Sequence, residues 1–242
     1  MASGADAGLR MTVRKKNKTD MQEMKRHVSV RPARKSDAAD IARLVVMAWP
    51  VEAFLAHGHG QTVDDLIDLV ADMAAREDTL YSYRNTVVAE LAPGGAGADS
   101  TIREGLPEET DASGAGQTGP VVGIMIGYDG ARLRSLRRPV EEAFTARFGA
   151  SDMKWDDETG EGEFYYDSVA VDPAYRGYGI GSALFDAMDR RAAQLGHDVV
   201  GLLVDLDNPS AEKLYERLGF RTVGEKDFFG HRMKHKQKNV LR

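Results

Sequence analysis

Apolar residues occur in short runs or alternate with polar ones at several places, as expected of strands with one or two buried faces. Residues 28–34 (VSVRPAR) begin with such an alternation, in which Val28 and Val30 lie on one face. Residues 85–91 (NTVVAEL) and 120–130 (PVVGIMIGYDG) are apolar runs of strand length. These segments predict three strands in the first half of the chain.

Helical spacing fills the intervals between the predicted strands. Residues 37–49 predict a helix that Ser36 or Asp37 can cap, and residues 63–77 keep apolar side chains three or four positions apart behind Thr62. Predicted helices and strands also follow one another in the second half of the chain. They are a basic helix at 131–149, an acidic loop at 151–163, strands at 164–171 and 199–206, and helices at 182–195 and from 208. The pattern indicates an α/β protein.

Composition narrows the functional classes. The 242 residues are 42% hydrophobic with a formal charge of −6, which fits a globular protein and disfavours a general nucleic-acid scaffold. The absence of cysteine excludes disulfides and a thiol nucleophile, and it suits a cytoplasmic location. No apolar run approaches the ~20 residues of a membrane span. We therefore expect no membrane partner and no nucleic-acid partner.

Two segments are expected to lie outside the folded core. Residues 1–27 are basic and lack an apolar period, which predicts a disordered leader. Residues 92–119 are rich in small and acidic residues and cannot bury enough surface to offset the entropy of ordering, so they predict a flexible loop between two strands. Residues 28–242 are expected to form a single domain.

The stretch VAVDPAYRGYGIGSALFDAM (169–188) places three glycines between a strand and a helix. At a helix N-terminus the first backbone N–H groups lack an internal partner and the helix dipole is positive, so a phosphate can bind there. The loop lacks the Gly-Lys-Ser/Thr ending of a P-loop and the G-x-G-x-x-G spacing of a dinucleotide fingerprint. A plain turn is the alternative.

Two further motifs accompany the glycine loop: Arg176 begins RGYGIG, and residues 208–220 read NPSAEKLYERLGF. Together they resemble the GNAT N-acetyltransferase superfamily, over roughly residues 28–235 and most strongly over 164–221. The resemblance implies a central mixed, mostly antiparallel twisted sheet of six to seven strands flanked by helices. It also implies a splayed, V-shaped cleft at the fourth and fifth strands.

The resemblance implies acetyl-CoA as co-substrate and no metal. In the family, the strand before the loop pairs with the pantetheine arm, and the loop amides hold the pyrophosphate. Carried over to this sequence, the strand residues are Val169, Ala170 and Val171, and the loop residues are Arg176, Gly177, Tyr178, Gly179, Ile180, Gly181 and Ser182. The strand residues can also be ordinary core residues, and both roles are compatible.

Two residues of the last motif match positions near the cofactor. The resemblance implies that Asn208 contacts the cofactor, although it can equally cap a helix ahead of Pro209. Tyr215 falls at the family's general-acid position, although it can instead fill the core. The thiolate that leaves needs a proton, and a tyrosine can supply one at a cost of ~2 kcal/mol.

The general base is not assigned by the motif. Asp167 lies, by strand alternation, on the face of Val169 and Val171, with Glu163 further back, and Asp205 is a third candidate. Each can instead be a solvated or salt-bridged acid. Ribosomal-protein alanine acetyltransferases have a glutamate where this chain has Leu203, which argues against that particular activity.

The acceptor is expected to be a primary amine, either a small molecule or a peptide. The acidic loop, with Trp155 and its neighbouring carboxylates at 152, 156–158 and 161, can steer a cation or can simply be solvated. His57 and His59 lack a third metal ligand, while Trp49 and Phe54 can line the pocket or fill the core. An acyl-CoA-binding module with little catalysis and a non-enzymatic interaction protein are alternatives, and the family makes a homodimer possible.

Overall fold

The computed structural model describes residues 27–49, 51, 55, 60–92, 119–149 and 153–240. Within them, one seven-stranded sheet has the order β1-β2-β3-β4-β5-β7-β6. The strands are β1 (Val28–Pro32), β2 (Thr86–Leu91), β3 (Val121–Asp129), β4 (Phe164–Val171), β5 (Val199–Asp205), β6 (Arg221–Phe228) and β7 (His231–Asn239). The longer helices are α1 (Ala38–Met47), α2 (Val63–Ala74), α3 (Leu133–Phe148), α4 (Ile180–Gln194) and α5 (Pro209–Arg217).

The mixed, mostly antiparallel sheet flanked by helices is the fold class that the sequence predicts. Only β4 and β5 pair in parallel, and the other five neighbouring pairs are antiparallel. None of the helices in the described ranges is long and apolar enough to cross a membrane. The predictions for residues 1–27 and 92–119 fall almost wholly outside the described residues, as do Phe54, His57, His59 and Asp152.

The predicted caps have two outcomes. Thr62 accepts a hydrogen bond from the Asp65 N–H at 3.3 Å, and Asp65 Oδ2 accepts one from the Thr62 N–H at 2.9 Å, so this cap is confirmed. Asp37 stands at the N-cap position of α1 but makes no side-chain cap bond to that helix. Its carboxylate instead binds Arg31 at 2.7 Å and accepts the Arg34 N–H at 2.6 Å.

The sheet separates two hydrophobic cores. Helices α1, α2 and α3 pack on one face, against residues such as Ile124, Ile126 and Tyr165. Helix α4 packs on the other face, where Leu184 and Phe185 are buried, and α5 adds partly buried residues there. Strand β4 therefore lies between two filled layers, whereas much of the loop that joins it to α4 is exposed.

The pairing of β4 with β5 is short. β4 pairs with β3 along its whole length, from Asp129 opposite Phe164 to Gly123 opposite Val171. With β5 it pairs only at Phe164 with Val200 and Tyr165 with Gly201. Beyond Tyr165 the two strands diverge, which is the splayed cleft that the sequence predicts at the fourth and fifth strands.

A bulge interrupts β4 at Asp167. Ile126 of β3 pairs with Ser168 and Gly127 pairs with Tyr166, so Asp167 is the extra residue. Tyr166 before the bulge and Val169 after it both face the α4 core, three positions apart. The prediction that Asp167 shares a face with Val169 and Val171 is therefore wrong, because strict alternation does not continue through a bulge.

A buried carboxylate holds the paired end of the two strands. Glu163 is 3% exposed and accepts hydrogen bonds from Thr159 Oγ1 at 2.6 Å and from Gln237 Nε2 at 2.7 Å. His235 Nε2 lies 2.9 Å from Glu163 Oε2. A Cβ atom at Gly201 would lie 1.8 Å from Glu163 Oε2, so β5 needs a glycine where the carboxylate crosses it.

Replacing Gly201 by alanine is expected to lower the free energy of unfolding by about 1–3 kcal/mol, because the methyl group collides with a carboxylate fixed by three partners. Gly224→Ala is the control, since a Cβ atom there meets nothing within 4 Å. Urea unfolding of both variants measures the difference. Equal stability of the two variants would contradict the assigned role of the Glu163 cluster.

Candidate functional site

The glycine loop turns sharply before α4. Gly177 has φ 80° and Gly179 has φ 82°, in the left-handed region that favours glycine. Helix α4 begins at Ile180, and its first closing hydrogen bond runs from the Ala183 N–H to the Gly179 carbonyl at 3.1 Å. The N–H groups of residues 180–182 precede that bond and point out of the first turn. They form a patch of positive potential suited to an anion.

Some of the predicted loop residues hold the loop against the sheet and α4, and others are exposed. Ile180 is 3% exposed, and a Cβ atom built on Gly123 would approach its side chain to 3.2 Å, so Ile180 fixes the helix start onto β3. Tyr178 packs partly buried against the α4 core. Arg176 Nε donates to the Val171 carbonyl at 3.0 Å and closes the loop on β4. A Cβ atom at Gly181 would meet no atom within 4 Å, and Ser182 is exposed.

The predicted strand residues lie on the diverging part of β4. Val169 pairs with Met125, Ala170 with Ile124 and Val171 with Gly123, all on the β3 side. The side chains of Val169 and Val171 pack against the α4 core, so their predicted core role is compatible with a main-chain role. On the other side of β4, β5 has separated, so this edge of the main chain faces the cleft.

A cavity of about 1100 Å³ opens where β4 and β5 diverge. Val169, Tyr215, Asn208 and Asp167 line it, whereas the predicted loop residues 176–182 do not. Trp49 after α1, Phe144 of α3, Trp155 and Phe229 also line it. The structure thus brings Asp167, Val169, Asn208 and Tyr215 together around one space.

Tyr215 is both a packing residue and a cavity residue. Its ring lies 5.9 Å from that of Phe185 and 6.0 Å from that of Phe220, measured between ring centroids. Burial raises the pKa of its hydroxyl, so the group keeps its proton at neutral pH. Asn208 Oδ1 accepts the Ala211 N–H at 3.1 Å and caps α5, and the residue also lines the cavity, where its amide NH₂ group can serve as a donor.

Two carboxylates share one hydroxyl beside the cavity. Tyr128 Oη lies 3.1 Å from Asp167 Oδ2 and 3.1 Å from Glu158 Oε1. The hydroxyl can donate its proton to only one of them, so both contacts are hydrogen bonds only when the other carboxyl is protonated. The geometry therefore favours a proton held between Asp167 and Glu158.

The environment of the two carboxyls agrees with a shared proton. Burial, followed by the neighbouring charge of Asp167, raises the pKa of Glu158 to about 7. Burial also raises the pKa of Asp167, although hydrogen bonds from Ser168 and Tyr128 oppose that shift. Arg137, which lies 3.1 Å from Glu158 Oε2, moderates the rise at Glu158. The pair can accept and release a proton near neutral pH.

The other two base candidates differ in position. Glu163 lies outside the cavity lining, and although burial pushes its pKa up, hydrogen bonds led by that from His235 outweigh this and hold the pKa below its ordinary value. Asp205 does line the cavity, with Oδ2 2.8 Å from His231 Nδ1. Asp167 is thus the candidate whose hydrogen-bond partners are hydroxyls, of Ser168 and Tyr128.

Sequence reasoning named Glu158 only as one acid of the loop, and it missed Tyr128. Among the described carboxylates of that loop, Asp156 lies 2.8 Å from Lys154, and Asp157 lies 2.7 Å from Arg134 and 2.6 Å from Arg137. These two acids are therefore salt-bridged within the protein. The role of Glu158 is visible only in the folded structure, because 30 residues separate it from its hydrogen-bond partner Tyr128.

The chain is similar to known acetyltransferases. The family model described as Acetyltransferase (GNAT) family matches residues 145–220. An acetyltransferase of Agrobacterium fabrum is 30% identical over 112 residues, which cover 40% of this chain and 80% of that protein. Mycothiol acetyltransferase of Corynebacterium aurimucosum is 43% identical over 75 residues, which cover 30% of this chain and only 24% of that protein.

Two solved structures share the architecture. The crystal structure of an acetyltransferase superposes with a TM-score of 0.65 at 30% identity and covers 88% of this chain and 100% of its own. An N-acetyltransferase from Staphylococcus aureus superposes with a TM-score of 0.63 at 22% identity, covers 87% of this chain and 100% of its own, and supports the fold.

Replacing Glu158 by glutamine is expected to remove a pH dependence of stability. The carboxyl whose pKa rises from 4.5 to about 7 binds a proton more tightly in the folded chain. Its contribution to the free energy of unfolding is therefore full at low pH and is lost as the pH rises to about 7. Between about pH 5 and about pH 8, the free energy of unfolding of the wild type should fall by on the order of 1–3 kcal/mol relative to that of Glu158→Gln.

Urea unfolding across that pH range measures the difference between the two proteins. Glu141→Gln is the matched control, because Glu141 binds the same arginine, Arg137, at 2.9 Å but is more exposed. The control should follow the wild-type pH profile. A wild-type minus Glu158→Gln difference that does not change with pH would show that Glu158 is ionised throughout.

Proposed function

Since this chain belongs to the GNAT acetyltransferase family, we propose that it transfers an acetyl group from acetyl-CoA to a primary amine. One observation carries the proposal: the cavity where β4 and β5 diverge has Asp167 and Tyr215 in its wall, beside the unpaired main-chain edge of β4. A binding-only module has no need for an acid and a base in one space.

The residues present fit acetyl-CoA. The main-chain edge of Val169, Ala170 and Val171 that faces away from β3 can pair with the amides of the pantetheine arm. The N–H groups of residues 180–182 can hold the pyrophosphate, with open space at Gly181 for its approach. Asn208 can add a donor from its amide NH₂ group. When bound, acetyl-CoA supplies a thioester carbonyl that a neutral amine can attack directly.

Asp167 is proposed to accept the proton from the substrate ammonium. A lysine-like amine of pKa ~10.4 is neutral so rarely at pH 7 that deprotonation costs about 4.6 kcal/mol. A carboxylate with a raised pKa is the better acceptor, and Tyr128 can pass the proton on to Glu158 because its hydroxyl contacts both groups. The amine nitrogen is then free to form the new bond to the acetyl carbon.

Tyr215 is proposed to donate a proton to the thiolate sulfur as the carbon–sulfur bond breaks. Its raised pKa keeps the proton in place until the stronger base forms. The products are an N-acetylamide and free coenzyme A. The nitrogen loses two protons: the ammonium proton leaves through the Asp167 pair, and the second, lost as the amide forms, restores the proton that Tyr215 gave to sulfur. Main-chain N–H groups of the cleft can stabilise the developing oxyanion.

Replacing Gly181 by glutamate is expected to abolish acetyl-CoA binding, because it introduces a carboxylate at the proposed pyrophosphate position. Gly181 is a cleaner position than Gly179, whose φ of 82° would strain any side chain. Gly181→Ala is the matched control and should bind like the wild type, since its Cβ atom meets nothing within 4 Å. Calorimetric titration with acetyl-CoA measures both. Unchanged affinity in the glutamate variant would place the ligand elsewhere.

Thiol release over a panel of primary amines tests turnover. Tyr215→Phe is expected to lower kcat by ~10²-fold, the low end for a general acid, with acetyl-CoA affinity unchanged. Asp167→Asn should lower kcat/KM by at least as much, because it removes the proton acceptor. An equal or larger loss in Asp205→Asn with little loss in Asp167→Asn would move the base to the Asp205–His231 pair.

The same assays separate the proposal from its alternatives. Tight acetyl-CoA binding without turnover on any amine would favour an acyl-CoA-binding module. Absence of acetyl-CoA binding in the wild type would leave only an interaction role for the fold.

A further inference from the structure

A hydrogen-bonded pair that the proposed proton transfers do not use lies in the wall of the cavity. Asp205 Oδ2 is 2.8 Å from His231 Nδ1, and Asp205 Oδ1 accepts the Asp207 N–H at 2.8 Å, so both carboxylate oxygens are engaged. Asp205 and His231 line the same cavity as Asp167 and Tyr215. A carboxylate and an imidazole joined in this way form an oriented group that can contact a substrate.

Asp205 and Asp167 lie on the two strands that diverge. Leu202 and Val204 of β5 pack in the α4 core. Strand alternation therefore turns Asp205 to the other face, where Leu203 packs against the core of α1–α3. Asp167 faces the same helical layer from β4, because of the bulge. Since the strands pair at only two positions, the two carboxylates flank the cavity from its two strands.

His231 is placed by the β6–β7 hairpin. Residues 229–230 have φ of 48° and 79°, the positive values that a two-residue type I′ turn requires, and Phe228 pairs with His231 across that turn. Beyond the β5–β7 ladder, the Leu206 N–H donates to the Arg232 carbonyl at 3.3 Å. Main-chain hydrogen bonds therefore fix the start of β7 beside the end of β5, which keeps the imidazole within reach of the carboxylate.

The contact with Asp205 decides which ring nitrogen of His231 carries the hydrogen. An ionised carboxylate can only accept, so the 2.8 Å contact is a hydrogen bond when Nδ1 is protonated. In the neutral ring, Nε2 then has a lone pair and can accept a hydrogen bond. Among the described residues the ring has no polar contact besides that at Nδ1, and the side chain is 56% exposed. The ring therefore offers an acceptor to a ligand in the cavity.

We infer that His231 contacts the nitrogen of the acceptor amine through Nε2, while Asp167 binds the same nitrogen from the other strand. The inference rests on the proposed acetyl transfer at this site. After the ammonium loses one proton to Asp167, the neutral amine has two N–H groups and one lone pair. A hydrogen bond from one N–H to Nε2 limits rotation of the nitrogen and directs the lone pair toward the thioester carbon.

His231 itself neither gains nor loses a proton in this reaction. The amine nitrogen forms the bond to the acetyl carbon, the carbon–sulfur bond breaks, and the ammonium proton passes to Asp167. The second proton, which the nitrogen loses as the amide forms, replaces the one that Tyr215 gives to sulfur. Asp205 is a positioning residue, because it acts on the amine only through the imidazole ring.

The hydrogen position on the ring can be measured without turnover, in the full-length protein carrying isotope-labelled histidine. Proton–nitrogen NMR spectra distinguish the two neutral ring forms at about pH 8, where an ordinary imidazole is neutral. We expect the Nδ1–H form of His231 in the wild type, and a mixture of both forms in Asp205→Asn, whose amide can also donate. Loss of the signal in His231→Asn identifies it.

Propylamine tests the contact itself, with coenzyme A present so that no acetyl group can be transferred. It should shift the Nε2 resonance of His231 in a saturable manner, because its ammonium group donates a hydrogen bond to that nitrogen. His235 is the internal control, since its Nε2 lies 2.9 Å from Glu163 Oε2 and it does not line the cavity. Its resonance should not move.

Two variants of His231 separate contact with the amine from support of Asp205. Asparagine places its amide NH₂ group near the position of Nδ1 and has no atom at Nε2, whereas glutamine places its amide oxygen near the position of Nε2. His231→Asn should lower kcat/KM for primary amines about 10- to 100-fold, with the KM for acetyl-CoA unchanged, because the orientation of the nitrogen is lost. His231→Gln should retain clearly more activity, whereas a purely structural role predicts the reverse order.

The two measurements test the contact and the transfer separately. A shifted Nε2 resonance in a protein that acetylates no amine would retain the contact and reject the transfer. Turnover with wild-type kcat/KM in His231→Asn, or with a greater loss in His231→Gln, would overturn the inference and leave the transfer intact. An Nε2–H form in the wild type, or an Nε2 resonance that propylamine does not move, would also overturn it.

Discussion

The early separation of β4 from β5 is the constraint on which the site depends. Two neighbouring parallel strands would normally continue their hydrogen-bond ladder, but here only two residue pairs form. The paired end is fixed by Glu163, which crosses Gly201 and is held by three partners. Beyond it, the edge of β4 has no strand beside it, which creates both a main-chain surface for a ligand and a cavity.

The bulge at Asp167 lies in this open part of β4. One extra residue turns Asp167 toward Tyr128 and the helical layer of α1–α3, while Val169 keeps its side chain in the α4 core. Without the bulge, strand alternation would place the two side chains on one face. The bulge therefore allows one short segment to present main-chain groups on one side and the Asp167 carboxylate, in contact with Tyr128, on the other.

The family match covers only part of the residues that line the cavity. Residues 145–220 include the glycine loop, α4, β5 and α5, which are the elements around the proposed cofactor. Lining residues outside that range include Trp49 after α1, Phe144 of α3 and Phe229 of the β6–β7 turn. The family match therefore does not describe this part of the cavity wall.

The sequence by itself determined the elements and the position of the helix start after the glycine loop. Period-two and helical patterns placed the strands and helices, since local side-chain periodicity reflects which face is buried, and the glycine loop marked a helix start in contiguous residues. The Tyr128–Glu158–Asp167 contact and the Glu163 cluster were decided only by tertiary structure. The residues of each cluster come from different segments of the chain. The bulge that orients Asp167 is not visible in the local pattern of hydrophobic and polar residues. Pairing across a sheet and packing between layers bring them together, and no spacing within one segment encodes that proximity.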